Sequence, residues 1–210
     1  MPEPVMNKQQ FIATIPILDE KTLKKAAYIY ADYPERSAVE SYFPAIPMIR
    51  HNIDPTAEIS VIVIFTQAGN YKHNLELFYK ELSAVSDEFN VDLTSNVIEI
   101  PVPYEETKKK HTEFFVNIGN ALTDDADLFM DLTYGSKVSP ITEFASLVYA
   151  EQAKKCHIKE VVYGKVMGSE TPTIYDIKEL YRMSQLINTM SFLPNADLEK
   201  LLNSFNEDQK

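Results

Sequence analysis

Short apolar runs alternate with longer amphipathic stretches along most of this chain. The runs 11–18 (FIATIPIL), 26–31 (AAYIYA), 59–65 (ISVIVIF), 96–102 (NVIEIPV), 127–132 (DLFMDL) and 158–166 (IKEVVYGKV) are rich in β-branched and aromatic residues, which predicts strands. Between the later runs the apolar period lengthens. Over 72–89, Leu75, Leu77, Phe78, Leu82, Val85 and Phe89 recur mostly at three- and four-residue steps, and over 105–122 His111, Phe114, Phe115, Ile118 and Leu122 do the same. Over 140–154, Ile141, Phe144, Ala145, Val148 and Tyr149 form one stripe. Each pattern predicts a helix with one apolar face.

Strands that are apolar throughout, separated by amphipathic helices, predict an α/β fold with a Rossmann-like, mostly parallel sheet flanked by helices. The proline-rich stretch 33–55 predicts an irregular crossover with a short helix over about 42–51. After Gly168 a polar break, SETPTIYD, precedes two helical patterns, IYDIKELYRMSQLINTMSFL and DLEKLLNSF. The expected division is therefore a ligand-binding domain over 1–168 and a short C-terminal helical extension over 169–210, suited to dimerisation or to connecting an effector.

Composition narrows the function. The chain has 210 residues, 45% hydrophobic and 24% charged, enough for one domain with a sizeable core. A net charge of −11 excludes a general basic field for long nucleic acid but leaves room for a small anion held by a few local donors. No apolar run approaches the roughly 20 residues that span a bilayer, so no membrane association is expected. The start, MPEPVMNKQQ, lacks the profile of a secretory leader, and the single Cys156 has no internal disulfide partner, which together point to the cytoplasm. His51, His73, His111 and His157 are scattered, without metal-ligand spacing, so no metal is expected. The phosphate-loop patterns GxxxxGK[ST] and GxGxxG occur nowhere, which argues against a nucleotide cofactor held by those routes.

In an open parallel sheet, ligands bind beyond the carboxyl ends of the strands. Two loops there carry suitable chemistry: TQAGNYKHN after 59–65 and TYGSKVSP after 127–132. Each places hydroxyls, amides, a glycine and a lysine just before a helix, whose first N–H groups are unpaired and carry partial positive charge. Thr133 and Ser136 can donate to phosphate oxygens, Gly135 allows a positive φ or close approach, and Lys137 adds charge. Ser139 reads as a helix cap and Pro140 as a first-turn residue. On pattern alone, a plain structural turn with a capped helix fits these residues equally well.

The segment ADLFMDLTYGSKVSPITEFASLVYAEQAKKCHIKEVVYGKV, 126–166, resembles the signature of CRISPR-associated Rossmann-fold sensor domains. There a strand ends in Asp-Ile/Leu-Thr-His-Gly-Phe-Arg-x-x-Pro, and a later strand ends in Tyr-Tyr-Gly. The matching residues are Asp131, Leu132, Thr133, Gly135, Lys137 in place of arginine, Pro140, Tyr163 and Gly164. Upstream, ISVIVIFTQAGNYKHNLELFYKEL resembles the family's strand ending in Thr-x-Ala followed by an Asn, giving Thr66, Ala68 and Asn74. IEIPVPYEETKKKHTEFFVNI resembles its Ile-Pro strand end, and TIYDIKELYRMSQLINTMSFL its helix after the sheet. The resemblance spans most of 58–193. Tyr134 stands in place of histidine and Ser136 in place of phenylalanine.

The resemblance implies a homodimer that binds a cyclic oligoadenylate, the second messenger of type III CRISPR antiviral defence, across its two-fold axis and regulates a fused or associated effector. A ring of four or six identical nucleotides has its own two-fold axis, so two copies of one site can read it. The implied ligand-binding residues are Thr133, Tyr134, Gly135, Ser136 and Lys137 in the turn, and Thr66, Gln67, Ala68 and Asn74 after the 59–65 strand. Thr14 and Pro16 at the first strand end are expected to border the pocket, with adenines stacked on tyrosines.

No effector chemistry is evident. None of Arg36, Arg50 and Arg182 is followed by a histidine at the four-to-six-residue spacing of the RNases often fused to such sensors. His111-Thr112-Glu113 lacks the Pro-Cys-x-x-Cys of zinc deaminases. Glu106-Thr107-Lys108 reads as a cap-like helix start, and Lys108 to Lys110 as a solvated face. His73 and His157 read as surface residues, and Cys156 as a small apolar filler. The favoured reading is a sensor, with no catalytic residue assigned. A stand-alone ring nuclease would use the same Lys137 and Ser136, and a Rossmann-like regulator of an unrelated small ligand is the third reading.

Overall fold

The apolar runs pair edge to edge into one sheet. The computed structural model describes residues 7–165 and 171–190, and the elements below are those of the described residues. In chain order they are β1 (Lys8–Ile15), β2 (Ala26–Tyr30), β3 (Val39–Ser41), α1 (Ala45–Asn52), β4 (Glu58–Thr66), α2 (Tyr71–Phe89) and β5 (Val97–Val102). Then follow α3 (Lys108–Ala121), β6 (Asp127–Asp131), α4 (Ser139–Ala153), β7 (His157–Lys165), β8 (Thr173–Asp176) and α5 (Lys178–Met190). The strand order is β3-β2-β8-β7-β6-β1-β4-β5. The five strands from β7 to β5 are parallel, while β8 runs antiparallel to β7 and β3 antiparallel to β2. The fold is thus α/β and Rossmann-like, with a mixed, mostly parallel sheet.

β1 lies between β4 and β6 and is buried from Gln9 onward. Its period-two alternation feeds two cores. Phe11, Ala13 and Ile15 join Val61, Val63 and Phe129 in a cluster that also holds Ile49 of α1 with Phe78 and Leu82 of α2. Ile12 joins Ile62, Leu128 and Met130 in a second cluster, with Phe114 and Ile118 of α3, Leu147 of α4 and Tyr181 of α5. Each such side chain contributes about 1.5–3 kcal/mol on full burial, and two covered faces explain why these strands carry apolar residues without alternation. No helix among the described residues is long and apolar enough to cross a membrane.

Three features depart from the sequence expectation. β3 and β8 add strands where an irregular crossover and a polar break were expected. They are three and four residues long, and each buries a single apolar side chain, Val39 in β3 and Ile174 in β8, so neither shows an apolar run. The sheet therefore extends past residue 168. The buried face of α4 is also not the expected stripe: Ser139, Glu143, Ser146, Leu147 and Ala150 are buried, whereas Ile141 and Tyr149 are exposed. That helix is apolar around most of its circumference, so spacing alone does not choose its inward face, and the sheet takes mainly the small residues. Finally, α3 starts at Lys108, because Thr107 caps it by accepting the Lys110 N–H at 3.3 Å. The DLEKLLNSF pattern lies outside the described residues.

Candidate functional site

β1, β4, β5 and β6 end side by side, and the chain leaving them encloses a cavity of about 540 Å³. One wall is the extended segment Ile15–Leu18. The facing wall is Val102–Glu106 with Lys110, His111 and Phe114 from the start of α3. Thr66 and the turn Thr133–Ser136, with Ser139, supply the hydroxyls.

Each wall is held from behind. Asn74 of α2 is fully buried, and its Nδ2 donates to the carbonyls of Pro16 at 2.8 Å and Leu18 at 2.9 Å, which fixes the first wall. Gly69, at φ 55°, brings the loop after β4 against the same wall, where an added Cβ would meet the Ile17 carbonyl oxygen at 2.6 Å. In the turn, Asp131 Oδ1 accepts the Thr133 N–H at 2.9 Å and also the Thr133 hydroxyl. Thr133 Oγ1 in turn accepts the Gly164 N–H of β7 at 2.7 Å. The Asp, Thr and Gly that carry the sequence resemblance are thus one hydrogen-bonded unit joining β6, the turn and β7.

Gly135 has φ 115° and passes so close to α4 that an added Cβ would meet Ser139 Cβ at 2.8 Å. Ser139 is the first residue of α4, not its cap, and its N–H donates to the Ser136 carbonyl at 3.0 Å. The cap-like hydroxyl is that of Ser136, which lies 3.4 Å from the Ser139 nitrogen and 3.2 Å from the Ser139 hydroxyl.

Of the expected ligand residues, Pro16, Thr66, Thr133, Tyr134, Gly135 and Ser136 line the cavity. Thr14 and Asn74 are buried behind it. Gln67, Ala68 and Lys137 do not line it; Gln67 and Lys137 are exposed, and the Gln67 N–H donates to Val102. Tyr134 packs with the α1/α2 core, and burial raises its phenol well above the usual range. The sequence pattern did not mark two lining side chains on the α3 side. Tyr104 is 72% exposed, and His111 falls within the apolar period of its helix although its Nε2 is shielded and without a hydrogen-bond partner. A polar residue in the first turn of that stripe, just after a strand end, was the available signal.

The electrostatics are unusual. Burial pushes the Asp131 carboxyl up to about 6, against the opposing Thr133 hydrogen bonds. Glu143 on α4 is completely buried, and burial first, then the Asp131 charge, push its carboxyl up to about 8. The Thr14 hydroxyl lies near enough to oppose that rise, yet no well-formed hydrogen bond closes on either Glu143 oxygen, on Asp131 Oδ2 or on Thr14 Oγ1. The lysine at the rim, Lys110, is engaged with Glu113 at 2.9 Å. Among the described residues no group of His, Cys, Asp and Glu side chains could hold a metal ion. The arrangement can receive a flat apolar group between its two walls and an anion at the hydroxyl turn before α4.

No family model matches the chain, and no curated protein matches it.

Proposed function

We propose that the chain is a sensor that binds a cyclic oligoadenylate across a homodimer and controls a fused or associated effector in type III CRISPR defence. The observation that carries this reading is the cavity at the carboxyl edge of the sheet, bordered by the Asp131–Thr133–Gly164 unit and the Ser136–Ser139 turn. Its volume of about 540 Å³ is that of a small-molecule site, and less than a ring of four or six nucleotides fills. A ring shared by two copies, each taking part of it, meets that limit.

Within each copy the Ser136 hydroxyl, which lines the cavity beside the start of α4, takes phosphate near the positive end of that helix. An adenine lies between the Pro16–Ile17 wall and the exposed ring of Tyr104, where its faces meet apolar and aromatic surface. A messenger made inside the cell sets the place of action in the cytoplasm.

The test is calorimetric titration with cyclic tetra-adenylate and cyclic hexa-adenylate, followed by chromatography of the recovered ligand. One intact ring bound per two chains is the expected result. Linear products would convert the sensor into a ring-cleaving enzyme, and absence of heat with either ring would overturn the reading.

A further inference from the structure

We propose that Asp131 and Glu143 make the site proton-coupled, so that an anionic ligand binds at the turn together with a proton taken up by this pair. The inference rests on the sensor reading only in requiring an anionic ligand.

The geometry comes first. Strand alternation places Thr14 with Ile12, on the face covered by α3 and α4, and Asp131 with Phe129, on the face covered by α1 and α2. Glu143 stands four residues after Ser139 on the same side of α4. Thr14 Cγ2 lies 3.5 Å from where a Cβ on Gly135 would sit. The two carboxyls therefore bracket the strand ends from opposite faces of the sheet, directly behind the turn that would meet the anion.

Among the described residues no cation acts on either carboxyl. β1 offers Glu143 only the Thr14 hydroxyl. Around Asp131 stand the phenols of Tyr28 and Tyr134, the Thr133 hydroxyl and N–H, and the Ala45 N–H of α1. The ionisable groups of the other neighbouring elements are committed or turned to the cavity: Lys110 of α3 pairs with Glu113 and His111 lines the cavity, Glu160 of β7 pairs with Arg36, and Tyr181 of α5 donates to Glu151. Lys137 is exposed.

An anion brought up to the turn raises the cost of each ionised carboxylate behind it, because charges interact strongly across a low-dielectric interior. A proton on one carboxyl removes that repulsion. Protonated Glu143 also gains an O–H that the unpartnered Thr14 hydroxyl oxygen can accept. Burial already holds the Glu143 proton to about 8 and the Asp131 proton to about 6, so near neutral pH the pair carries about one proton and has room for part of another. The device lets a strongly acidic chain accept a polyanion although the one lysine among the lining residues, Lys110, is already engaged with Glu113.

The experiment is calorimetry of wild type and Glu143→Gln with cyclic tetra-adenylate at about pH 6.5, 7.5 and 8.5, each in two buffers of different ionisation heat. The phosphodiesters do not titrate there, so any buffer-dependent heat is proton uptake by the protein. Wild type should lose up to tenfold in affinity per pH unit above about 7.5, with heats that differ between buffers. Glu143→Gln should bind at pH 8.5 at least as well as wild type does at 7.5, with a smaller buffer difference. Equal heats in both buffers, or an unchanged pH slope in the variant, would overturn the coupling. The linear dinucleotide adenylyl-adenosine, titrated in the same way, separates the two ideas. Proton-coupled binding of the dinucleotide without binding of either ring keeps the pair and removes the ring reading. Ring binding without proton uptake does the reverse.

Discussion

The two ends of the central sheet bury similar polar side chains and treat them in opposite ways. Toward the amino end, Gln9 donates to the Asn52 carbonyl at 2.9 Å and accepts the Asp54 N–H at 2.7 Å. Gln10 spends its amide on Ser60, Ala121 and Thr123. Glu160 holds Arg36 at 2.7 Å and accepts from Asn52, while the Arg36 guanidinium lies over the rings of Tyr30 and Tyr33 at 4.7 and 4.2 Å. Among the described residues there, the Tyr30 hydroxyl closes no well-formed hydrogen bond, and it faces Arg36. At the carboxyl end, Thr14, Tyr28, Asp131, Tyr134 and Glu143 all bury polar atoms that close no hydrogen bond. Satisfied polar groups help specify a fold, whereas orphaned ones are costly and call for a partner such as an ordered water, an ion or a ligand. That difference coincides with the cavity and marks the same end of the sheet without any sequence motif.

The largest expected effect breaks the satisfied end. Glu160→Ala strands the partly buried Arg36 charge and should cost about 3–5 kcal/mol of stability in urea unfolding, while the folded fraction keeps its ligand affinity. A comparable loss of affinity would mean that the two ends are not separable.

Next is Glu143→Gln, which relieves the orphaned end. Folded, this carboxyl keeps its proton to about 8; unfolded, it releases it near its ordinary 4.5. Between those values the folded chain binds more protons, so its stability falls as pH rises through the window and levels off above it. The variant lacks that slope and should exceed wild type by about 2 kcal/mol or more near pH 8.5, and by under about 1 kcal/mol near pH 5, in parallel thermal melts. Identical pH slopes would show that Glu143 is ionised without cost.

The contrast also explains what was legible beforehand. The long strands and the turn at 131–140 stood out because continuous apolar runs and a glycine–hydroxyl–lysine cluster are local signals. β3 and β8 are too short to show a period, and the pairing of β8 with β2 that carries the sheet out to β3 is a long-range contact. Glu143 was hidden by its helix: Ile141, Phe144 and Val148 made a plausible inward stripe, and nothing local says that the acid turns in. Asn74 was marked for the ligand yet serves the wall, since a side-chain amide reads the same whether its acceptor is a base or a backbone carbonyl.

Asn74→Ala sharpens this last point. Two hydrogen bonds to the first wall disappear, which should cost about 1–3 kcal/mol of stability and weaken ring binding, because Ile15–Leu18 then lacks its anchor. Full affinity in the variant would show that the wall is held by packing alone.

The smallest effects test where the carboxyl-end site stops. Ser136 lines the cavity with its hydroxyl beside the α4 start, so Ser136→Ala should weaken ring binding by about 1–2 kcal/mol whatever the salt concentration. Lys137, the next residue, is exposed and outside the lining, so its charge acts through water: Lys137→Ala should cost less than about 1 kcal/mol, and that cost should vanish as added salt shortens the screening length. The pair separates a hydroxyl in the cavity from a charge at its rim within two consecutive residues. A Lys137 effect larger than that of Ser136, and insensitive to salt, would mean that the ligand leaves the cavity and lies over the start of α4. The orphaned groups behind the turn would then face the middle of the ligand rather than its edge.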